Sequence, residues 1–178
     1  GSVTLYRDGR PLLIDVGVET YSKKTFSPQR YEIWTMQSGW HNLPQFDPDG
    51  AKYDQQPGAA FAAADVTVTD ALDGLAMDLA PAYGSVPGLG RYRRSVHLTD
   101  TGLTLRDETD SPGTVALTLM SVEKPAVDGD TVAFGALAAA AVTGADKIVT
   151  EAVPIADPRL RQAWPDTLYR TRIYFTQQ

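Results

Sequence analysis

Residues 91–107 read RYRRSVHLTDTGLTLRD, and this stretch decides the fold class of the 178-residue chain. Polar and apolar side chains alternate on both sides of a turn signal, Asp100-Thr101-Gly102. A period of two is that of a half-buried β-strand, and such runs between regular turns are typical of an antiparallel sandwich or barrel. Arg94 breaks the alternation, because it falls on the otherwise apolar face. The polar face is expected to carry Arg91, Arg93, Ser95 and His97, and the apolar face Tyr92, Val96 and Leu98.

Turn signals of the same kind recur along the rest of the chain. Between them lie runs rich in strand-forming residues, such as residues 114–122 and Ile173-Tyr174-Phe175. The alanine-rich residues 135–142 leave a helix of about two turns as an alternative. The pattern predicts an all-β fold, an antiparallel β-sandwich with little helix, as a single domain over residues 3–178. Gly1-Ser2 is interpreted as the remnant of an expression tag. The other turn signals are Arg7-Asp8-Gly9-Arg10-Pro11, Asp47-Pro48-Asp49-Gly50, Asp73-Gly74, Ser111-Pro112-Gly113 and Asp128-Gly129-Asp130.

Composition narrows the classes of partner. The 16 basic and 22 acidic residues give a net charge of −6, which argues against nucleic acid because its binders usually carry a basic face. An acidic polysaccharide would also be repelled unless basic residues cluster. Arg91, Arg93 and Arg94 do cluster, with a solvated strand edge as the alternative interpretation. No apolar run approaches the roughly 18 residues of a membrane span, so no membrane partner is expected. The absence of cysteine excludes disulfides and thiolate metal sites and leaves the compartment open.

Three residues are candidate metal ligands. His41 and His97 are the only histidines, and Asp65 shares the polar face of its predicted strand with Thr67. Two imidazoles, one carboxylate and a water suit Zn²⁺. No short ligand motif links the three residues, so hydrogen-bonded surface histidines and a solvated aspartate remain the alternative.

Other catalytic chemistry finds little support. No nucleophile elbow and no phosphate-binding glycine motif occurs, and the abundant acidic residues fall beside turns. Tyr83 lies in a loop between Pro81 and Gly84. It either packs as a lid over the core or borders a sugar-binding site.

The order of several short patterns resembles the C-terminal domain of the heparinase II/III-like polysaccharide lyases. The resemblance begins with the stretch DGRPLLIDVG at residues 8–17 and spans residues 3 to 175. Gly39 departs from the pattern, since some members carry a further histidine there. The later pieces are Tyr21, Arg30, Ser38-Gly39-Trp40-His41-Asn42, Ala64-Asp65, Ala82-Tyr83, Arg94-Ser95-Val96-His97, Asp107, Asp157-Pro158-Arg159-Leu160, Trp164, Leu168 and Arg172-Ile173.

The resemblance implies the sandwich half of a bacterial enzyme that cleaves acidic polysaccharide by β-elimination. The principal catalytic base would lie in an N-terminal α/α toroid that this chain lacks, so the chain alone is expected to be inactive. The sandwich would supply one wall of the substrate cleft and a structural zinc site made by His41, Asp65 and His97. Tyr83 would assist proton transfer, and Asn42, Arg91 and Arg93 would contact substrate. The alternatives are a stand-alone carbohydrate-binding or structural β-sandwich and, with less support from the ligand spacing, a cupin-like metal enzyme.

Overall fold

A computed structural model describes residues 1–177 of the chain. Strands account for 43% of the residues and short 3-10 helices for 14%, which confirms the all-β prediction. None of the described helices has the length and apolar character needed to cross a membrane. The strands are β1 (Leu5–Arg7), β2 (Arg10–Leu13), β3 (Pro44–Phe46), β4 (Ala64–Val68), β5 (Gly74–Asp78), β6 (Tyr92–Thr99), β7 (Gly102–Thr109), β8 (Gly113–Ser121), β9 (Pro125–Asp128), β10 (Thr131–Phe134), β11 (Ala138–Ala141), β12 (Lys147–Pro154) and β13 (Thr167–Gln177). The 3-10 helices span Lys24–Phe26, Pro28–Glu32, Trp34–Met36, Ser38–Trp40, Ala59–Phe61, Ala80–Tyr83 and Leu160–Gln162.

The strands fall into two compact units. Residues Tyr53–Gly113 form most of the first, here called the insert unit. Ser2–Lys52 and Thr114–Thr176 form the second, here called the host unit. The prediction of a single domain over residues 3–178 is not tested by this division.

The host unit contains a four-stranded sheet in the order β12-β13-β8-β3 and a three-stranded sheet in the order β11-β10-β9. A cluster of buried side chains joins them, with Leu119 and Ile173 from the larger sheet and Val132 and Phe134 from the smaller one. Each fully buried aliphatic or aromatic side chain contributes about 1.5–3 kcal/mol. The host unit is therefore layered like a β-sandwich.

The opposite face of the four-stranded sheet is also buried. Met120 and Leu168 point to this face, because neighbouring residues of a strand alternate between faces. Trp34 and Trp40, from two of the 3-10 helices, and Trp164 pack on this cluster. The irregular chain between β2 and β3 is thus fixed by its tryptophans, and His41 follows directly after Trp40.

The insert unit contains a single four-stranded antiparallel sheet in the order β4-β5-β6-β7. The two strands on either side of the Asp100-Thr101-Gly102 turn form its second half, with Leu98 opposite Leu103 and Thr99 opposite Gly102. Strand β7 is the outermost strand on that side. The register places Arg94 directly opposite Asp107, which explains why an arginine interrupts the apolar face.

Candidate functional site

His41 is held between two hydrogen-bond acceptors. Its Nδ1 lies 2.8 Å from Asp15 Oδ2, and its Nε2 lies 3.0 Å from the carbonyl oxygen of Thr35. A carbonyl oxygen can only accept, so Nε2 carries a proton, and an ionised Asp15 requires the second proton on Nδ1. The geometry therefore favours an imidazolium–carboxylate pair.

The pairing with His41 shifts the pKa of the Asp15 carboxyl. The hydrogen bond from His41 lowers the pKa of Asp15, although partial burial acts in the opposite direction. The positive charge of His41 and the backbone N–H of Gly17 lower the pKa further. Asp15 is consequently ionised at neutral pH, which is the state that the His41 geometry requires.

The other two predicted metal ligands lie in the insert unit. Asp65 is exposed at an irregularity of β4, where its φ is +47°. His97 on β6 has a side chain that is 54% exposed, and its Nε2 lies 3.7 Å from Asp73 Oδ2. Among residues 1–177, no group of three or more His, Cys, Asp or Glu side chains is arranged to hold a metal ion. The zinc site stays a prediction, and metal binding by His41 would require one of its two hydrogen bonds to break.

Tyr83 is fully buried at the end of the 3-10 helix Ala80–Tyr83. Its ring meets that of Tyr92 edge to face, with the centroids 5.6 Å apart. Burial raises the pKa of Tyr83 far above that of a free tyrosine, so its hydroxyl stays protonated. This placement matches the packing interpretation, and the assisting catalytic role stays a prediction.

The buried side chain of Arg94 forms an ion pair with the partly exposed Asp107 beside these tyrosines. Arg94 Nε donates to one oxygen of Asp107 and Nη2 to the other, each at 2.7 Å. Tyr92 Oη donates to the same carboxylate at 3.1 Å, and Arg94 Nη1 donates to the carbonyl oxygen of Gly1 at 2.7 Å. The Arg94 side chain is 0% exposed. Such bidentate pairing fixes the orientation of both groups.

The predicted arginine cluster is therefore divided between the two faces of its sheet. Arg91 is exposed and Arg93 is half-buried on the face opposite to Arg94. Arg93 lies in register between Asp78 and Glu108, two acidic residues of the neighbouring strands. The polar face around Arg93 thus carries both signs of charge, and the predicted contacts of Arg91 and Arg93 with substrate remain untested.

Asn42 lies inside the host unit, and its predicted contact with substrate stays a prediction. Its side-chain amide donates to the carbonyl oxygens of Val3 at 2.6 Å and Ile14 at 3.0 Å. Its side-chain oxygen accepts the backbone N–H of Met120 at 2.7 Å. Asn42 is 0% exposed and joins three chain segments, which gives it a structural role in this conformation.

A cluster next to His41 escaped the sequence analysis. The Arg170 guanidinium lies 3.6 Å from the centre of the Trp40 ring, donates to the Gly39 carbonyl at 3.0 Å and pairs with Glu151. Burial lowers the pKa of Arg170, against the opposing effect of Glu151. Trp34 meets Trp40 edge to face at 4.9 Å. No local pattern predicts the cluster, because Arg170 comes from β13, far along the sequence from Trp40.

No protein-family model matches this chain, and no curated protein matches it. The resemblance to the heparinase II/III-like lyases rests on the sequence patterns alone.

Proposed function

We propose that this chain is the β-domain of a polysaccharide lyase that cleaves uronic-acid-containing polysaccharide by β-elimination. In that reaction a base removes the proton beside the uronate carboxyl group, and an acid protonates the departing glycosidic oxygen. The β-domain would form one wall of the substrate cleft, and an α/α toroid would supply the base.

The observation that carries the proposal is the pairing of Arg94 with Asp107. Both residues belong to the pattern on which the resemblance rests, although 13 positions separate them in the sequence. The register of β6 with β7 brings these two positions of the pattern together in a bidentate pair, which fixes the orientation of both side chains. The pair is consistent with the resemblance, and the β-elimination reaction is proposed from that resemblance.

The state of the candidate acid–base groups supports inactivity of the isolated chain. A general base needs an unprotonated atom within hydrogen-bond reach of the substrate. The Tyr83 hydroxyl is buried and its pKa is raised, and both nitrogens of His41 face acceptors. Neither group is free to take a proton from a substrate in this conformation.

The test compares this chain with the complete protein that contains it. Each is incubated with a panel of uronic-acid polymers, and formation of the unsaturated uronate is followed by its ultraviolet absorbance. The complete protein should form the product, and the chain alone should not. Product formed by the chain alone would refute its inactivity, and saturated products from the complete protein would refute the β-elimination.

Substitution of Tyr83 within the complete protein tests its assisting role. Tyr83→Phe keeps the buried ring and removes only the hydroxyl, so a role in proton transfer should lower kcat more than it changes KM. An unchanged kcat would refute the assisting role and show that Tyr83 serves only in packing.

A further inference from the structure

Two large aromatic side chains stand exposed beside each other in the host unit. Tyr21 is 53% exposed and Phe26 is 78% exposed. Their ring centroids lie 5.5 Å apart, with the rings edge to face. Single exposed apolar residues are ordinary, whereas contiguous apolar surface is often functional, and these two adjacent rings make such a contiguous surface.

Hydrogen bonds to Asp157 hold the backbone next to Tyr21 in place. The Thr20 N–H lies 3.1 Å from each carboxylate oxygen of Asp157. One oxygen of the same carboxylate also accepts the N–H groups of Arg159, at 3.0 Å, and Leu160, at 3.1 Å. Asp157 thus holds the chain next to Tyr21 close to the chain at Arg159. Such preorganisation lowers the entropy lost when a ligand binds.

Phe26 is fixed in a similar way. It ends the 3-10 helix Lys24–Phe26, whose preceding turn is closed by the Ser22 N–H donating to Thr25 Oγ1 at 3.0 Å. Thr25 is buried, while Phe26 next to it points outward. The exposed ring therefore projects from an anchored turn.

Cations accompany the rings. The Arg159 guanidinium lies 4.4 Å from the centre of the Tyr21 ring, and Lys23 is exposed between the two aromatic residues in the sequence. Within residues 1–177, neither Arg159 nor Lys23 takes part in an ion pair, whereas the adjacent Lys24 pairs with Glu32 at 2.8 Å. One positive charge therefore lies over the Tyr21 ring, and a second, exposed one lies between Tyr21 and Phe26 in the sequence, on a chain whose net charge is −6.

We propose that Tyr21, Lys23, Phe26 and Arg159 form a binding surface for an acidic polysaccharide, here called the Tyr21–Phe26 surface. The C–H groups of a sugar ring are attracted to the negative face of an aromatic ring. A uronate carboxylate can accept charge-assisted hydrogen bonds from the guanidinium and the ammonium group. The class of ligand rests on the proposed function, but the surface lies outside the residues to which the resemblance assigns a role.

Charge density favours a polyuronate over a single-stranded nucleic acid. Nucleic-acid binders neutralise a series of phosphates and draw most of their affinity from that term. Among the described residues, the Tyr21–Phe26 surface offers two cations outside any ion pair, Lys23 and Arg159, which are too few for a series of phosphate contacts. Two aromatic rings and two cations are instead enough to contact a few sugar units and their carboxylates.

The test is a calorimetric titration of the whole chain with a size-defined alginate oligosaccharide, in which every sugar is a uronic acid. An uncharged cello-oligosaccharide and a single-stranded oligodeoxynucleotide serve as comparison ligands. We expect saturable binding of the alginate oligosaccharide alone. Tyr21→Ala and Phe26→Ala should each raise its Kd about tenfold, the effect of losing one stacked aromatic contact. Arg159→Ala should weaken binding at low salt and reduce its dependence on salt.

Matched controls separate this surface from general effects. Tyr6→Ala removes an aromatic ring that is 57% exposed elsewhere in the host unit, and Arg106→Ala removes an exposed arginine of the insert unit. Both should bind like the unmodified chain. All five variants should keep the unfolding midpoint of the unmodified chain within a few degrees, because exposed side chains contribute little to stability.

Several results would overturn the proposal. They are no binding of the alginate oligosaccharide, equal binding of the uncharged ligand, tighter binding of the oligodeoxynucleotide, or equal effects of Tyr21→Ala and Tyr6→Ala. The proposed function is judged separately by the lyase activity of the complete protein. An active complete protein whose Kd is unaffected by Tyr21→Ala would refute the surface and leave the function standing.

Discussion

Replacement of Asp107 by asparagine should destabilise the insert unit strongly. The Arg94 side chain is 0% exposed and has two hydrogen bonds of 2.7 Å to the Asp107 carboxylate. Asparagine keeps one acceptor oxygen and removes the negative charge, so a buried guanidinium would be left without its counter-charge. Breaking a buried pair in this way costs about 3–5 kcal/mol. The Asp107 side chain is 24% exposed, and water can partly replace it, so we expect about 3 kcal/mol.

The assay is urea unfolding followed by far-ultraviolet circular dichroism. Glu108→Gln is the control, since Glu108 is the next residue on β7 and pairs with Arg106 at 3.1 Å on the exposed face. It should change the free energy of unfolding by less than about 0.5 kcal/mol. The double variant Arg94→Met with Asp107→Leu should be less destabilised than Asp107→Asn alone, because it removes both charges together. A loss below about 1 kcal/mol for Asp107→Asn would refute this account of the pair.

Three further perturbations test other parts of the molecule. Asn42→Ala removes three hydrogen bonds at a site that is 0% exposed. It should lower the free energy of unfolding by about 3 kcal/mol in the same assay. A loss as small as that of Glu108→Gln would contradict the structural role. The pKa of Asp15 is lowered on folding, so its contribution to stability is present above the ordinary aspartate pKa and is lost as the pH falls through the lowered value. Melting temperatures measured from about pH 5 to pH 2 should therefore fall less steeply for Asp15→Asn than for the unmodified chain, and parallel curves would exclude the effect. If zinc binds as predicted, a chelator should lower the melting temperature of the unmodified chain. The variant Lys124→Ala should respond in the same way, and His97→Ala should not respond. No effect on the unmodified chain would refute the zinc hypothesis.

Much of the fold could be predicted because strand signals are local. The Asp8-Gly9 dipeptide forms the two-residue turn between β1 and β2, with φ values of +52° and +75° that this sequence favours. The alanine-rich residues 135–142 were ambiguous, and the structure pairs Ala138–Ala141 with β10 as a strand. Intrinsic helix propensity is weak there compared with the hydrogen bonds and burial that a neighbouring strand provides.

The site could be predicted less well, because its contacts depend on register. Arg94 breaks the alternation of its strand, and only the alignment of β6 with β7 shows Asp107 opposite to it. The hydrogen-bond partners of His41, Asp15 and Thr35, come from segments whose approach has no sequence signal, and the metal ion predicted at His41 stays a prediction. The 3-10 helices that place Trp34 and Trp40 were not predicted either, since packing of their tryptophans on a distant sheet decides that conformation.

Strand β7 is the outermost strand of its sheet, and its free backbone edge bears on self-association. One side of its backbone has no partner strand within the described part of the chain, and such an edge can recruit the same edge of another molecule into a growing aggregate. Arg106, near the middle of this strand, is exposed, and Glu108, near its end, is half-buried and opposite in charge. Charged side chains on an edge strand oppose its addition to another sheet, because they would lose water on pairing. We therefore expect these two residues to oppose self-association of the insert unit, and substitutions that make β7 more apolar to favour it.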